Sequence, residues 1–229
     1  MKRPTNHRTK SPGRLSPVER VRIETLFRRF EAAKPDPRTE LEYATPFTLL
    51  VSVVLSAQAT DKSVNKAAER LYAVASTPRQ IVDLGEAGLI PFISSIGLFR
   101  MKAKNVVALS RILLEQYGGE VPLDREKLQA LPGVGRKTAS VVLNELDVEP
   151  AIAVDTHVYR VAHRLGLSKG KTPENVERDL MAVVPDWAKS RAHHWLILHG
   201  RYVCVARKPK CAECGVADLC PSRELFLGG

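Results

Sequence analysis

The chain has 229 residues, of which 44% are hydrophobic and 26% are charged, as in an ordinary folded globular protein. This composition argues against a disordered or fibrous chain, and the longest apolar stretch, within PFTLLVSVVLSA, is too short to span a bilayer. The formal net charge is +10 and the pI is about 9.6, which favours a nucleic-acid partner.

The N-terminus, residues 1–15, is predicted to be a flexible basic arm. Five basic residues precede the first acidic residue, Glu19, while Pro4 and Pro12 disfavour a helix there. The arm contains no apolar run of the kind that a secretory signal needs. Five basic residues do not account for the whole net charge, so we expect the folded body to be basic as well.

Helical periodicity dominates the rest of the chain. Apolar stripes at helical spacing run from Val64 to Tyr72, Val106 to Tyr117, Val158 to Leu165, Val176 to Val184 and Ala188 to Tyr202. The segment 47–57 is rich in valine, which suits a strand. Because no partner strands are evident nearby, we predict a buried helix there and an all-α protein.

The cysteines all lie near the C-terminus and are spaced C-x6-C-x2-C-x5-C: Cys204, Cys211, Cys214 and Cys220. Four thiols so close together favour a shared metal centre over a disulfide pair. Zinc sites usually combine two short cysteine pairs, whereas iron–sulfur clusters also use four thiolates and accept uneven spacing. The spacing therefore favours a cluster modestly over zinc.

The loop between the first two cysteines has the sequence VARKPK. Its basic residues, Arg207, Lys208 and Lys210, would be displayed on a segment that the metal centre holds rigid. Such a loop suits contacts with a phosphate backbone.

The stretch ALPGVGRKTASVV, residues 130–142, is not a nucleotide-binding P-loop, because Arg136 separates the last glycine from Lys137. It predicts a helix, a glycine hairpin and a second helix that starts near Arg136. Pro132 ends the first helix, while Gly133 and Gly135 allow a positive φ and close backbone approach. The N–H groups that open the second helix can bind a DNA phosphate.

Two residues have both a structural and a chemical interpretation. Lys137 would lie in the first helical turn, where it either grips phosphate or serves as an amine nucleophile, since the positive helix end favours a neutral amine. Asp155 follows an apolar run and precedes a helical stripe, so it is either a simple N-cap or a carboxylate that a nucleophile needs.

Several blocks of the sequence together resemble the bacterial endonuclease III family of the helix–hairpin–helix superfamily. They are LSAQATD (55–61), LPGVGRKTA (131–139), VDTHVYRV (154–161), HHWLILHGRYVC (193–204) and the cysteine spacing. The family consists of bifunctional DNA glycosylases and abasic-site lyases of base excision repair. The resemblance runs from about Val18 to Cys220.

The resemblance implies an all-α protein of two domains with a cleft between them. A six-helix barrel would cover residues 39–149, with the helix–hairpin–helix motif at about 125–144. Residues 16–38 and 150–229 would form a discontinuous domain that holds a [4Fe-4S] cluster on the four cysteines.

The resemblance also implies roles for single residues. Lys137 matches the nucleophile, Asp155 the catalytic aspartate, Gln58 the residue that fills the gap left by a flipped nucleotide, and Leu98 the wedge in the opposite strand. The chain would act as a cytoplasmic monomer, associated with the nucleoid, on duplex DNA that carries oxidised pyrimidines or abasic sites.

Two alternatives remain. A monofunctional mismatch glycosylase of the same superfamily would lack the lysine nucleophile, so the presence of Lys137 disfavours it. In a non-catalytic DNA-binding module, Lys137 would only grip phosphate and Asp155 would only cap a helix.

Overall fold

The computed structural model describes residues 15–227, with side chains described as far as Phe226. These residues contain helices and turns but no strand, so the predicted all-α class is confirmed. The predicted N-terminal arm lies outside the described residues except for Leu15. None of the described helices is long and apolar enough to cross a membrane.

The chain divides into two compact units. The first, Pro37–Ala153, is called the central unit, and the second, of which the structure describes residues 15–36 and 154–227, is called the terminal unit. The central unit contains six helices: α2 (Pro46–Ser56), α3 (Asp61–Tyr72), α4 (Pro78–Ile93), α5 (Phe99–Tyr117), α6 (Arg125–Gln129) and α7 (Arg136–Glu145).

Helix α2 is the centre of the core of this unit. All of its residues from Phe47 to Leu55 are buried, and it packs against α3, α5 and α7. The valine-rich segment is therefore a helix, as predicted. Burial on all sides explains why most of its residues are apolar, and its buried hydroxyl residues, Thr48 and Ser52, are hydrogen-bonded.

The described part of the terminal unit contains α1 (Pro17–Ala33), α8 (Thr156–Arg164), α9 (Pro173–Val183), α10 (Lys189–Tyr202) and α11 (Glu224–Leu227), together with three short 3-10 turns. Helix α8 packs against α10 and α9. Its predicted apolar stripe is buried at Val158, Val161 and Ala162.

Several helices begin at the same local signal, a hydroxyl residue followed by proline. The pairs are Ser16-Pro17, Thr45-Pro46, Thr77-Pro78 and Thr172-Pro173. In each pair the hydroxyl oxygen accepts a hydrogen bond from a backbone N–H of the first turn. Proline has no N–H to satisfy, and its φ is already helical, so these starts are encoded locally.

Candidate functional site

The predicted helix–hairpin–helix is formed by α6, a turn at residues 130–135, and α7. Gly133 has a φ of +79°, and a Cβ atom added there would lie 2.9 Å from Asn105 Nδ2. Both backbone conformation and space therefore require glycine at this position. Gly135 does not use the positive φ that glycine allows: its φ is −86°, and an added Cβ would meet nothing within 4 Å. The protein itself leaves open space beside Gly135.

Helix α7 presents an electropositive start. Gly135 is its N-cap and supplies no side-chain hydrogen bond, and the first turn contains no acidic residue. Gly135, Arg136 and Lys137 are exposed. Backbone N–H groups without a capping side chain and two cations form a favourable surface for an anion such as a DNA phosphate.

The opposite face of α7 is anchored in the core of the central unit. Ala139 and Val142 are fully buried, and Leu143 is 1% exposed. The helix therefore holds the backbone of Lys137 firmly, while the Lys137 side chain lies on the outer surface.

Asp155 is the N-cap of α8, as predicted. Its Oδ1 accepts hydrogen bonds of 2.8 Å from the backbone N–H groups of His157 and Val158. These bonds fix the carboxylate to the start of the helix. The capping role is thus established, and it is compatible with a chemical role because a capped carboxylate is rigidly held.

Arg160 connects the helix of Asp155 to the first cysteine. Its Nε donates to the carbonyl oxygen of Cys204 at 3.1 Å, and its Nη2 donates to that of Gly200 at 2.8 Å. Its Nη2 also lies 3.2 Å from His157 Nδ1. An added Cβ on Gly200 would lie 2.9 Å from His157 Cβ, so glycine permits the close approach of α8 and α10. The sequence analysis missed Arg160 and Gly200, although a glycine inside a helical pattern is a recognised sign of close packing.

Gln58 and Leu98 share an unusual backbone conformation. Their φ values are +55° and +59°, in the left-handed region that non-glycine residues rarely adopt. Both side chains are exposed, and that of Leu98 is 54% exposed. An added Cβ on Gly97 would lie 3.8 Å from the carbonyl oxygen of Gln58, so the two turns are neighbours. The structure brings these two predicted residues together on strained turns, which are frequent at functional sites.

The predicted basic loop is a closed structure. The N–H of Lys210 donates to the carbonyl oxygen of Val203 at 3.0 Å, and Arg164 donates to the carbonyl oxygens of Val205 and Ala206 at 2.8 Å. The basic side chains of the loop, Arg207, Lys208 and Lys210, are all exposed.

The four cysteines line one pocket of about 320 Å³, together with His199 and Arg223. Burial raises the pKa of the Cys214 thiol, and the charges of the other three cysteines raise it further. Four thiolates in one pocket repel each other, so they require a strongly cationic partner.

Two family models match the chain. One, described as the HhH-GPD superfamily base excision DNA repair protein, matches residues 51–186, and the other, described as the iron-sulfur binding domain of endonuclease III, matches residues 204–220. The chain belongs to the endonuclease III family. It is 55% identical over 203 residues to the endonuclease III of Haemophilus influenzae and, equally, to that of Escherichia coli K12. In both comparisons the match covers 89% of this chain and 96% of the relative.

Solved structures of the family have the same fold. This chain is similar to a structure described as a trapped endonuclease III–DNA covalent intermediate, with a TM-score of 0.84, 42% identity, and coverage of 93% of this chain and 99% of that one. A non-covalent endonuclease III–DNA complex gives the same TM-score and identity. A thermostable thymine-DNA glycosylase is 25% identical with a TM-score of 0.77, and the match covers 91% of this chain and 98% of that one.

Family membership identifies the cysteine centre. The iron–sulfur model spans the four cysteines from Cys204 to Cys220, so the cofactor of this chain is a [4Fe-4S] cluster. The zinc alternative, which the spacing alone had left open, is excluded. The cluster supplies the cationic centre that the four thiolates require.

Proposed function

We propose that this chain removes oxidised or ring-damaged pyrimidines from duplex DNA with Lys137 as the nucleophile, and then cuts the strand 3′ to the abasic site. The broader activity follows from the family: the chain is a base excision repair DNA glycosylase and abasic-site lyase. One observation carries the assignment of Lys137, namely an exposed lysine on the uncapped first turn of a helix that is anchored in the core. An amine held in this way supports a covalent bond to DNA, which the description of a structurally similar protein names.

Attraction to DNA comes mainly from the terminal unit. The central unit contains 13 basic and 13 acidic residues, whereas residues 15–36 and 154–229 contain 17 basic and 12 acidic residues. The central unit therefore has no net charge, and the remaining five positive charges of the +10 precede residue 15. Contacts of these cations with phosphates release counterions, which gives affinity without sequence specificity.

The damaged nucleotide leaves the base stack before chemistry occurs. Extrusion costs a few kcal/mol and costs least for bases that stack poorly, such as pyrimidines whose ring has lost planarity. Gln58 fills the space that the nucleotide leaves, and the exposed Leu98 separates the opposite strand. Both side chains lie on turns with a positive φ, and Leu98 is also the N-cap of α5.

The chemistry then proceeds in two stages. Lys137 Nζ attacks the sugar C1′, the bond from C1′ to the base breaks, and the base leaves as a protonated product. Asp155 accepts a proton from Lys137 or stabilises the positive charge that develops on the sugar. Opening of the sugar ring gives a Schiff base, loss of a C2′ proton breaks the C3′–O bond, and hydrolysis of the imine releases Lys137. We expect one monomer to carry out the whole cycle on each lesion.

Borohydride trapping on DNA with a defined abasic site tests the assignment of Lys137. The wild-type protein is expected to form a covalent adduct, and Lys137→Ala is expected to form none while it still binds DNA in a salt-dependent manner. Arg136→Gln is the matched control, because it removes the neighbouring cation from the same helix end and should bind less tightly but still form the adduct.

Trapping on abasic DNA, combined with an assay of base release from a duplex that carries a ring-saturated pyrimidine, identifies other functions. A wild-type protein that releases the base without forming an adduct is a monofunctional glycosylase, and one that does neither is only a DNA-binding module. An adduct that persists in Lys137→Ala assigns the nucleophile to another amine. A panel of defined lesions then measures whether ring-saturated pyrimidines are the preferred substrates.

A further inference from the structure

The segment after Cys220 contacts the cysteine pocket, although it contains none of the four ligands. Arg223 lines this pocket, and α11 packs against the 3-10 turn Cys211–Glu213. Pro221 is packed so closely against Gly166 that an added Cβ on Gly166 would lie 3.0 Å from Pro221 Cγ. The segment is therefore built into the wall of the pocket.

The Arg164 guanidinium is the link between this segment and a cysteine sulfur. Its Nη1 donates to Cys204 Sγ at 3.4 Å, and its carbon atom lies 4.4 Å from the centre of the Phe226 ring. The two contacts are compatible because a guanidinium uses its flat face for an aromatic ring and its edge for hydrogen bonds. The same edge also binds the carbonyl oxygens of Val205 and Ala206, which open the basic loop.

We propose that the C-terminal segment is part of the cluster site and that Phe226 is a positioning residue, which clamps the Arg164 guanidinium onto Cys204 Sγ. The clamp protects the Fe–S bond of Cys204, because a thiolate that accepts a hydrogen bond from a cation is harder to displace or protonate. It also holds the origin of the basic loop. The inference concerns the cofactor site and does not depend on the identity of the nucleophile.

The experiment compares two substitutions of Phe226, one that removes the aromatic face and one that keeps it. Phe226→Leu retains an apolar side chain, and Phe226→Trp retains the ring. Leu225→Ala is the matched control, since Leu225 is adjacent and 79% exposed. Proteins loaded with the cluster under anaerobic conditions are exposed to air and an iron chelator, and the loss of the visible cluster absorption is followed.

Phe226→Leu is expected to lose its cluster about tenfold faster than the wild type. Removing a group that hydrogen-bonds to a metal ligand, or that positions such a group, usually weakens the metal site by about this factor or more. Phe226→Trp and Leu225→Ala should match the wild type. The reduction potential of the cluster should shift downward in Phe226→Leu, because a donor to a thiolate stabilises the reduced, more negative state.

Three results would overturn the inference. One is a Phe226→Leu protein with the stability and potential of the wild type, and another is a Leu225→Ala protein that loses its cluster as fast as Phe226→Leu. The third concerns Arg164→Lys. Lysine keeps the charge but lacks the flat face and the forked edge of arginine, so this variant should lose its cluster as fast as Phe226→Leu. A stable cluster in Arg164→Lys would show that charge alone is sufficient.

Discussion

Arg125 Nη1 donates a 2.7 Å hydrogen bond to Ser140 Oγ, which joins the first residue of α6 to the middle of α7. Ser140 is buried and lies three residues after Lys137, so the bond is nearly one helical turn away from the proposed nucleophile. The same guanidinium forms an ion pair with Glu149 at 3.0 Å. One side chain thus fixes both helices of the hairpin and the segment that leaves it.

Arg125→Met is expected to lower the free energy of unfolding by about 1–3 kcal/mol, because the buried Ser140 hydroxyl loses its partner. It should also slow adduct formation in single turnovers at saturating enzyme, since the helix of Lys137 is less firmly held. Glu149→Gln is the control: its side chain is 48% exposed, and a surface ion pair contributes only about 0–1 kcal/mol. Equal effects of the two variants would show that the bond to Ser140 does not matter.

The two hairpin glycines provide a matched pair of substitutions. Gly133→Ala should destabilise the fold by more than about 1 kcal/mol, because the positive φ and the contact with Asn105 both oppose a side chain. Gly135→Ala should lower the free energy of unfolding by less than about 1 kcal/mol, because alanine is a poorer N-cap than glycine, but it should weaken DNA binding, because its Cβ enters space where we expect a phosphate to lie. Unchanged DNA affinity in Gly135→Ala would remove the hairpin from the DNA interface.

Asp155 allows the capping role to be separated from the chemical one. Asparagine caps helices as well as aspartate does, so Asp155→Asn should unfold at the temperature of the wild type but lose most single-turnover activity. Asp155→Ala should lose activity and, in addition, about 1 kcal/mol of stability. Full activity in Asp155→Asn would leave Asp155 with the capping role alone.

Apolar periodicity in the sequence predicts α3, α5, α8, α9 and α10, whereas α1 and α4 were not predicted. Hydroxyl–proline pairs mark the starts of four of the described helices, and α2 could be identified because its valines have no partner strands. The site was predictable only in part. The capping role of Asp155 is local, but Arg160 contacts Cys204 across 44 residues of sequence, and Arg164 contacts the same cysteine across 40. No periodicity reveals such pairs.

The glycine hairpin shows a different limit. The sequence indicates a turn, but it does not tell which glycine adopts a positive φ and which one leaves open space for a ligand. Gly133 proves to be the conformational one, whereas Gly135 has an ordinary φ. The chemical roles of Lys137 and Asp155, the DNA contacts and the domain boundaries stay predictions.

Lys102 is a buried cation on α5, and we expect it to decrease stability. It is 4% exposed, its Nζ has no hydrogen-bond partner among the described residues, and burial lowers its pKa from the ordinary lysine value of 10.5. Lys102→Met is therefore expected to raise the free energy of unfolding at neutral pH by about 1–3 kcal/mol. The folded protein binds the Lys102 proton less tightly than the unfolded chain does, so wild-type stability rises with pH up to about 10.5. The difference in free energy of unfolding between Lys102→Met and the wild type should therefore shrink as the pH rises.

Thermal unfolding of both proteins between neutral pH and pH 10 measures this effect. Lys104→Met, on the exposed face of the same helix, is the control and should give no gain. A Lys102→Met protein that is less stable than the wild type would indicate that Lys102 has a partner that stabilises the fold.

Lys208 provides a test of the basic loop. The loop is closed by the bond between Lys210 and Val203, so its cations are held in place before DNA arrives, and each phosphate contact releases counterions. Lys208→Gln should weaken binding to undamaged duplexes of any sequence and reduce the slope of log affinity against log salt by about 1. Lys66 is an exposed cation on α3 in the central unit, whose net charge is zero. Lys66→Gln should leave the slope unchanged. If the two variants changed the slope equally, the affinity would depend on net charge alone and the loop would have no special role.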